Sequence, residues 1–491
     1  MLFTSTAFLF IFLPSVLLVN FLLPKDLRNV FLLISSLFFY AWGEVYYAVI
    51  LLFSITFNFL LTRALEQSSP GAKKRALLIF TVVVNLALLA WFKYTDLILD
   101  TINGVLTAVN IPTIKGVAPL HLPLGISFFT FQALSYVMDV YKGNVPVQKR
   151  FVNVALYISL FPQLILGPII RYRDMAREII DRKVNSENFA YGIRRFIIGM
   201  GKKIVLANPL GEVADVIFTS SPFDLTAPVA WLGIVCYTLQ IYFDFSGYSD
   251  MAIGLGRMLG FTFLENFNYP YISQSIREFW RRWHISLSTW SRDYLYIPLG
   301  GNRYSLLRTQ LNIWIVFFLY GLWHGAGWNF ILWGAVHGLF LSLERIGLDR
   351  VLQHFWRPLR HLYLVLVVMS AFVFFRTETI SGALSYFSAM LGLAGGDPDN
   401  AAILRVFTNE KQILLVIGIA ATLPWRSISA VIRERLLSSF PDFASALKKS
   451  ESWSTVSVRT MHLVLLSLLF YISLVYIAPG NNNNPFIYFR F

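Results

Sequence analysis

Charged residues are scarce in this 491-residue chain. Only 14% of its residues are Asp, Glu, Lys or Arg, whereas 56% are apolar and 16% are aromatic. A soluble protein of this length carries far more surface charge, so these proportions argue against a soluble enzyme and predict an all-α, polytopic membrane protein. The length accommodates about ten spans of about 20 residues each. We therefore treat residues 1–491 as a single integral-membrane domain.

Cysteine is almost absent from the sequence. Cys236 is the single cysteine, and it lies within an apolar run. One cysteine excludes a disulfide or a thiolate zinc site within the chain, and we predict no metal site. A nucleophilic role for Cys236 stays open in principle, although a buried cysteine is more often a packing residue.

Acidic residues are outnumbered 27 to 41 by Lys and Arg, which gives a net charge of +14. A basic balance often indicates a nucleic-acid partner, but cytoplasmic loops of membrane proteins also collect Lys and Arg. We predict membrane lipids and no nucleic acid as partners. The first 24 residues lack a basic leader and a small-residue cleavage site, so we expect them to stay attached as the first span.

Apolar runs separated by charge predict the membrane spans. They lie near residues 6–23, 29–42, 46–62, 76–92, 122–140, 231–260, 361–375, 411–424 and 461–478. The basic residues in 25–28 and 73–75 orient these segments inward and the N-terminus outward. On this count, residues 96–120 form an external loop and residues 479–484 emerge outside.

Two segments between these spans have a different pattern. Residues 151–170 are apolar but contain Pro162 and the Gly167-Pro168 pair, with basic residues on both flanks. This pattern favours a re-entrant hairpin, because interrupted helices at membrane depth must be buried in protein. Residues 171–203 carry nine Lys or Arg and four Asp or Glu, and predict an amphipathic helix on the inner surface.

Two carboxylates interrupt the predicted span at 231–260. Asp244 and Asp250 occur in the segment YFDFSGYSD. Acids inside an apolar run are candidates for a functional site. They could equally pair with arginines of the inner-surface layer or cap the start of a helix.

The longest uncharged run, Leu311–Leu343, contains two histidines, His324 and His337. As one helix it would be about 50 Å long, which is too long for one span and too short for two. Glycines cluster at 321–327, so we predict a helix break there with His324 beside it, deep in the protein. A buried neutral imidazole can act as a general base, or it can simply hydrogen-bond a neighbouring carbonyl.

The segment before this run is basic and aromatic. Its candidate ligand-binding residues are Arg281, Arg282, Arg292, Trp283 and Trp290. Guanidinium groups bind phosphate bidentately, and indole rings can stack on a nucleobase, so this segment suits a phosphate-rich acyl donor. Ordinary positive-inside charge with an aromatic belt is the alternative interpretation.

The motifs WRRWHISLSTWSRDYLYIPLGGNR and GLWHGAGWNFILWGAVHG resemble the membrane-bound O-acyltransferase (MBOAT) family. The resemblance is greatest to the branch that supplies acetyl groups for bacterial exopolysaccharides such as alginate. Further matches lie at residues 123–143, 161–175, 242–256 and 485–491. The motif core covers about residues 120–345, and peripheral spans cover 1–95 and 355–480.

The resemblance implies a helical bundle with re-entrant or broken helices and a central tunnel. The catalytic histidine of the family corresponds to His324. The second polar position of the family, a His or Asn, corresponds to His284. His337 is expected to line the same tunnel or to orient a partner, and Asp250 remains a candidate for substrate binding.

The resemblance also implies a function in the bacterial inner membrane. Acetyl-CoA would be the donor substrate from the cytoplasm, with no cofactor, and a separate periplasmic SGNH-hydrolase-like protein would be the partner. The transfer could be direct or could pass through an acetyl-enzyme. Peptidoglycan O-acetylation and teichoic-acid D-alanylation are alternatives within the family. A proton-coupled transporter and a non-catalytic export scaffold are alternatives outside it, although no internal repeat supports a transporter.

Overall fold

The protein is described by a computed structural model that covers residues 1–114, 120–396, 405–425, 427–431, 434 and 451–478. It is 77% helical, and the described residues contain no strand, which confirms the predicted all-α class. The α-helices of the described residues, numbered α1–α20 in chain order, are Leu13–Leu22, Lys25–Ala41, Ala48–Gln67, Ala72–Ala108, Ile126–Tyr141, Phe151–Ser159, Phe161–Leu164, Tyr172–Ile180, Ser186–Gly201, Asn208–Thr219, Ala227–Leu259, Ile276–Arg282, Ile285–Ser291, Leu306–His324, Trp328–Leu343, Asp349–Gln353, Arg357–Arg376, Ile380–Met390, Asn409–Ala421 and Glu451–Ile477.

Seven of these helices are long and apolar enough to cross a membrane. They are α3, α4, α11, α14, α15 with its continuation to Gln353, α17 and the part of α20 from Thr460. A multi-pass membrane protein is thereby confirmed. The spans predicted near 29–42, 122–140 and 411–424 form the shorter helices α2, α5 and α19, of 17, 16 and 13 residues.

Helix α11 lies at the centre of the bundle and packs closely against α9. A Cβ atom on Gly199 would lie 2.5 Å from the carbonyl oxygen of Gly247, and one on Gly254 would lie 2.6 Å from that of Gly192. Only glycine allows two helix backbones to come this near to each other. Gly247 and Gly254 of YFDFSGYSDMAIGLG are therefore contact points between these two helices.

The predicted amphipathic surface helix at 171–203 is wrong in two respects. The segment forms two helices, α8 and α9, with a break between Ile180 and Ser186. The second is packed into the bundle, where Arg195 and Lys202 pair with Asp250. These two charged side chains can lie inside the bundle because the carboxylate of Asp250 on α11 pairs with both.

The predicted external loop at 96–120 is also wrong over its first half. Helix α4 runs on to Ala108 and is 37 residues long. Within it the chain has one glycine, Gly104, and no proline before Pro112, so nothing in the sequence ends the helix earlier. Lys93 therefore lies within one continuous helix, and this helix brings it close to the segment that contains His121.

The segment 151–170 is interrupted, as its prolines and glycines predict. Helices α6 and α7 meet at Leu160, and the chain then continues without regular structure to Arg171. This irregular backbone is buried throughout. It packs against the start of α5, where Gly125 has φ +75° and a Cβ atom would lie 2.5 Å from the carbonyl oxygen of Leu164.

Helices α14 and α15 form a hairpin that breaks where the glycines predict. Helix α14 ends at His324, and α15 begins at Trp328. A Cβ atom on Gly321 would lie 2.6 Å from the carbonyl oxygen of Phe330, and one on Gly334 only 2.2 Å from that of Phe317. The two helices therefore touch backbone to backbone, which holds His324 at the turn between them.

Some predictions concern residues outside the described ranges. They include the external position of residues 479–484 and the C-terminal motif at 485–491. Both remain predictions.

Candidate active site

Three buried histidines lie close together and are linked by two tryptophan rings. His284, His324 and His337 are 0%, 4% and 1% exposed. The ring of Trp323 lies 5.9 Å from that of His284 and 4.8 Å from that of His324. The ring of Trp333 lies 4.6 Å from that of His324 and 5.0 Å from that of His337. The structure thus brings the three histidines singled out in the sequence into one aromatic-lined site.

His284 has a strained backbone and a defined side-chain orientation. It is one of three non-glycine residues with positive φ among the described residues, at φ 44° and ψ 53°. Its Nδ1 lies 3.1 Å from Oδ1 of Asn266, whose own amide nitrogen donates to Ser249. Asn266 Oδ1 is therefore an acceptor, so Nδ1 of His284 carries the proton and Nε2 is left as the acceptor. Strain of this kind is typical of functional positions.

The Nε2 atom of His284 is buried and has no hydrogen-bond partner among the described residues. His284 lies outside the seven long apolar helices, and complete burial lowers the pKa of its imidazole to about 3. The ring is therefore neutral near pH 7. A neutral, unpartnered acceptor in a closed site can receive a hydrogen bond from a substrate hydroxyl.

His337 is held by its neighbours on the other side of His324. The indole Nε1 of Trp280 donates to Nδ1 of His337 at 3.3 Å. The ring of Phe279 lies parallel to its imidazole at 6.1 Å. His337 does not line either cavity described below, and its role stays a prediction.

A cavity of about 210 Å³ reaches His324, and we call it the His324 cavity. Its polar lining residues are Lys93, His121, Ser127 and His324. At its outer part, Nε2 of His121 lies 3.1 Å from the buried carboxylate of Glu44. The volume is below the several hundred Å³ of sites for large cofactors, so the cavity suits a small hydroxyl-bearing group and an acetyl group.

A second cavity of about 250 Å³, the arginine cavity, is lined by a different set of residues. Its charged lining residues are Arg277, Arg292 and Arg345, and none of its described lining residues is acidic. Two of these arginines also have carboxylate partners outside the lining: Arg277 pairs with Asp349 at 3.2 Å and Arg292 with Asp293 at 2.8 Å. Such a cavity attracts phosphate groups.

Helix α14 contributes residues to both cavities. Tyr320 lines the arginine cavity and His324 lines the other, four residues further along α14. Four residues of α-helix rise about 6 Å. The hydroxyl of Tyr320 is hydrogen-bonded to that of Ser291. The two sets of lining residues do not overlap, so in this conformation the predicted tunnel is represented by two separate cavities.

The predicted donor-binding arginines are only partly brought to this site. Of the three, only Arg292 lines the arginine cavity. Arg281 is exposed, and Arg282 pairs with Glu278 at 2.9 Å one turn earlier on α12. The other two arginines of the lining, Arg277 and Arg345, had not been predicted as ligand-binding residues.

Two predicted aromatic ligands are buried in packing contacts. Trp283 stacks on Phe279 at 5.4 Å and is 3% exposed. Trp290 stacks on Phe131 at 4.1 Å, and its Nε1 donates to the carbonyl of the same residue. These contacts favour a structural role over stacking on a nucleobase.

The two carboxylates of α11 are engaged in ion pairs. Asp250 accepts from Arg195 at 2.7 Å and from Lys202 at 2.8 Å. Asp244 lies 2.5 Å from Nζ of Lys203. They follow the second sequence interpretation, pairing with basic residues of the 171–203 segment. Asp250 lines neither cavity, which favours a structural role over substrate binding.

Sequence reasoning missed two residues beside the histidines. Lys93 lines the His324 cavity, and Asn266 orients His284. The sequence did indicate a functional role for Lys93, because it is a basic residue inside a long apolar run and the argument made for the histidines also applies to it. No such indication exists for Asn266, because its role depends on contacts between distant segments. Among the described residues, no group of three or more His, Cys, Asp or Glu side chains could hold a metal ion.

Comparison with known proteins identifies the family. The sequence pattern of the MBOAT, membrane-bound O-acyltransferase family matches residues 145–386. A probable alginate O-acetylase of Pseudomonas putida is 38% identical over 498 residues, covering all of both chains. One from Azotobacter vinelandii is 44% identical over 393 residues, 79% of this chain and 78% of the relative. A peptidoglycan O-acetyltransferase of Helicobacter pylori is 39% identical over 430 residues, 80% of each chain.

These matches place the chain in a class of membrane-embedded acyltransferases. The protein belongs to the MBOAT family and is a multi-pass membrane O-acyltransferase.

Proposed function

We propose that this enzyme transfers acetyl groups from acetyl-CoA for the O-acetylation of an exopolysaccharide, with alginate as the polymer. The observation that carries the proposal is that α14 contributes Tyr320 to a basic cavity and, one turn later, His324 to the other cavity. A phosphate-rich donor and a hydroxyl acceptor would approach His324 through these two cavities. The names of the relatives from Pseudomonas and Azotobacter support alginate as the polymer.

His324 would act as the general base. Its imidazole takes the proton from the acceptor hydroxyl while the hydroxyl oxygen bonds to the thioester carbonyl carbon. The carbonyl π electrons move to the oxygen and return when the carbon–sulfur bond breaks. The CoA thiolate then takes the proton from the imidazolium. Nε2 of His284 would accept a hydrogen bond that orients the hydroxyl.

The arginine cavity would face the cytoplasm of a bacterial inner membrane, where acetyl-CoA is found. The basic side chains of Arg277, Arg292 and Arg345 agree with the rule that Lys and Arg collect on the inner side. The His324 cavity, entered beside His121, would then open toward the periplasm. There a separate SGNH-hydrolase-like partner would take the acetyl group to the polymer.

Peptidoglycan is the second candidate acceptor. The relative from Helicobacter pylori, named peptidoglycan O-acetyltransferase, is 39% identical over most of both chains. This identity is close to that of the Pseudomonas putida relative. The two acceptors differ in the polymer outside the membrane, so the same His324 chemistry would serve either.

The first test concerns His324. We expect His324→Ala to lower acetyl transfer from labelled acetyl-CoA by at least about 10²-fold, because losing a general base typically costs 10²–10⁴-fold. Transfer would be measured with purified protein reconstituted in lipid together with its acceptor partner. His354→Ala is the matched control, since His354 is exposed and bonds only a backbone carbonyl of its own helix.

Circular dichroism and thermal unfolding would establish that both variants are folded. Full transfer by folded His324→Ala would refute the mechanism and direct attention to His284. The acceptor would be identified in cells that carry either the wild-type chain or His324→Ala. Loss of acetyl esters from the exopolysaccharide but not from the cell wall supports the proposal, whereas loss from the cell wall favours peptidoglycan as the acceptor.

A further inference from the structure

A buried lysine lies beside His324. Lys93 is 8% exposed and stands in the apolar helix α4. Its ammonium group donates a hydrogen bond to the backbone carbonyl of Trp323, the residue before His324. Lys93 and His324 line the same cavity of about 210 Å³. The ammonium group of Lys93 is thus anchored to the backbone directly before His324, the proposed general base.

No carboxylate neutralises this ammonium group. Among the described residues, Lys93 forms no ion pair, and the buried carboxylate of Glu44 pairs instead with His121, which lines the same cavity. A charged side chain in an apolar span is costly unless a partner or a function compensates for it. The single carbonyl accepts one of three ammonium protons. The other two are available to a group inside the cavity.

Helix capping alone explains only part of this arrangement. The last carbonyl groups of α14 lack partners within the helix, and a cation is favourable at a helix C-terminus. The neighbouring Tyr94 already serves this purpose, because its hydroxyl donates to the carbonyl of Leu322 at 3.0 Å. Tyr94 does not line the cavity, whereas Lys93 does. Lys93 and Tyr94 both donate hydrogen bonds to carbonyl groups of α14, but only Lys93 lines the His324 cavity.

We propose that Lys93 is a further catalytic residue, whose ammonium group stabilises the negative charge that develops on the acyl carbonyl oxygen during transfer. This inference rests on the proposed acyl transfer. When the acceptor oxygen bonds to the carbonyl carbon, the π electrons become a lone pair on the oxygen. Lys93 donates hydrogen bonds to this oxyanion and keeps its own protons throughout. The electrons return to re-form the carbonyl as the thiolate leaves.

The test compares Lys93→Met with Tyr94→Phe in reconstituted protein. Removing one oxyanion donor typically lowers kcat by 10²–10³-fold, and we expect a loss of about this size in Lys93→Met with little change in the KM for acetyl-CoA. Tyr94→Phe removes the equivalent tether to α14 and is expected to keep kcat near the wild-type value. Lys73→Met, an exposed lysine at the start of the same helix, controls for loss of charge.

Chemical rescue separates the ammonium group from the fold. Lys93→Cys would be treated with 2-bromoethylamine, which joins an aminoethyl group to sulfur with loss of bromide and restores a primary amine at nearly the length of lysine. Iodoacetamide gives a neutral adduct as the matched control. The native Cys236 is fully buried, and treated wild-type protein controls for its modification. We expect the aminoethyl adduct alone to recover kcat.

The outcomes distinguish this inference from the proposed function. Wild-type transfer that is abolished in His324→Ala but unchanged in folded Lys93→Met would overturn the role of Lys93 alone. Loss in Lys93→Met that the aminoethyl adduct does not recover, or an equal loss in Tyr94→Phe, would reduce Lys93 to a structural tether. If Lys93→Met fails to fold, the two adducts of Lys93→Cys decide between these roles. Absence of transfer by wild-type protein would instead contradict the proposed function.

Discussion

Among single residues, His284 has two notable features: an imidazole in the candidate active site and a left-handed backbone conformation, which is uncommon for a residue other than glycine. Its left-handed conformation costs an ordinary L-residue about 1–2 kcal/mol, and asparagine bears this cost most easily after glycine. The Asn266 contact then leaves Nε2 as the hydrogen-bond acceptor of the ring. The backbone strain and the side-chain orientation therefore occur at the same residue, as expected where position matters for chemistry.

This strain yields a prediction about His284 variants. We expect His284→Asn to unfold near the wild-type temperature, whereas His284→Val loses about 1–2 kcal/mol more because a β-branched side chain resists φ 44°. His284→Asn should also retain more transfer than His284→Ala, since it keeps a polar group at the site. Thermal unfolding in detergent and transfer of labelled acetyl would be measured together. Equal stability of the Val and Asn variants would contradict the strain argument.

At the scale of helices, close glycine contacts position His324. We expect Gly334→Ala to destabilise the protein by about 1–3 kcal/mol, because its Cβ would lie 2.2 Å from the carbonyl oxygen of Phe317 and force α15 away from α14. Gly104→Ala is the control, as a Cβ there meets nothing within 4 Å and alanine favours the helix. Thermal unfolding would show opposite shifts. A neutral Gly334→Ala would mean that the hairpin is not tightly packed.

The ion pairs between α9 and α11 give a second prediction at this scale. Asp250→Asn leaves Arg195 and Lys202 without their carboxylate, and we expect a lower unfolding temperature with turnover of the surviving protein largely kept. The cost should be below the roughly 3–5 kcal/mol of a fully buried pair, because these two side chains are 24% and 27% exposed. Asp181→Asn, at an exposed position, is the control. A stable but inactive Asp250→Asn would instead put this residue in the active site.

In the bundle as a whole, two separate cavities share helix α14, which contributes Tyr320 to one lining and His324 to the other. Under the proposed function, the donor and the acceptor would enter by different cavities. The arginine cavity is lined by residues of α12, α13, α14 and α15 and of the helical segments that directly follow α13 and α15. The His324 cavity is lined by residues of α4, α5 and α14, by residues 121–125 before α5, and by Ile165 and Leu166. Substrate access is thus a property of the bundle and not of any one motif.

Donor binding should depend on the arginines that line the basic cavity. We expect Arg345→Gln to raise the KM for acetyl-CoA about tenfold with kcat little changed, because a charge-assisted contact to phosphate is lost. Arg281→Gln is the matched variant, since this exposed arginine lies outside the lining. Initial rates over a range of acetyl-CoA concentrations would be compared. A larger effect in Arg281→Gln would support the assignment made from sequence.

Composition and local patterns were enough to predict the membrane class, the family and the helix break beside His324. These features depend on composition and on neighbouring residues, such as the glycines that interrupt an uncharged run. Only the tertiary structure brought Lys93 next to Trp323 and Asn266 next to His284, and replaced Arg281 and Arg282 by other arginines at the cavity. The physical reason is that these contacts join segments far apart in the chain, whose approach depends on how helices pack and not on any local pattern.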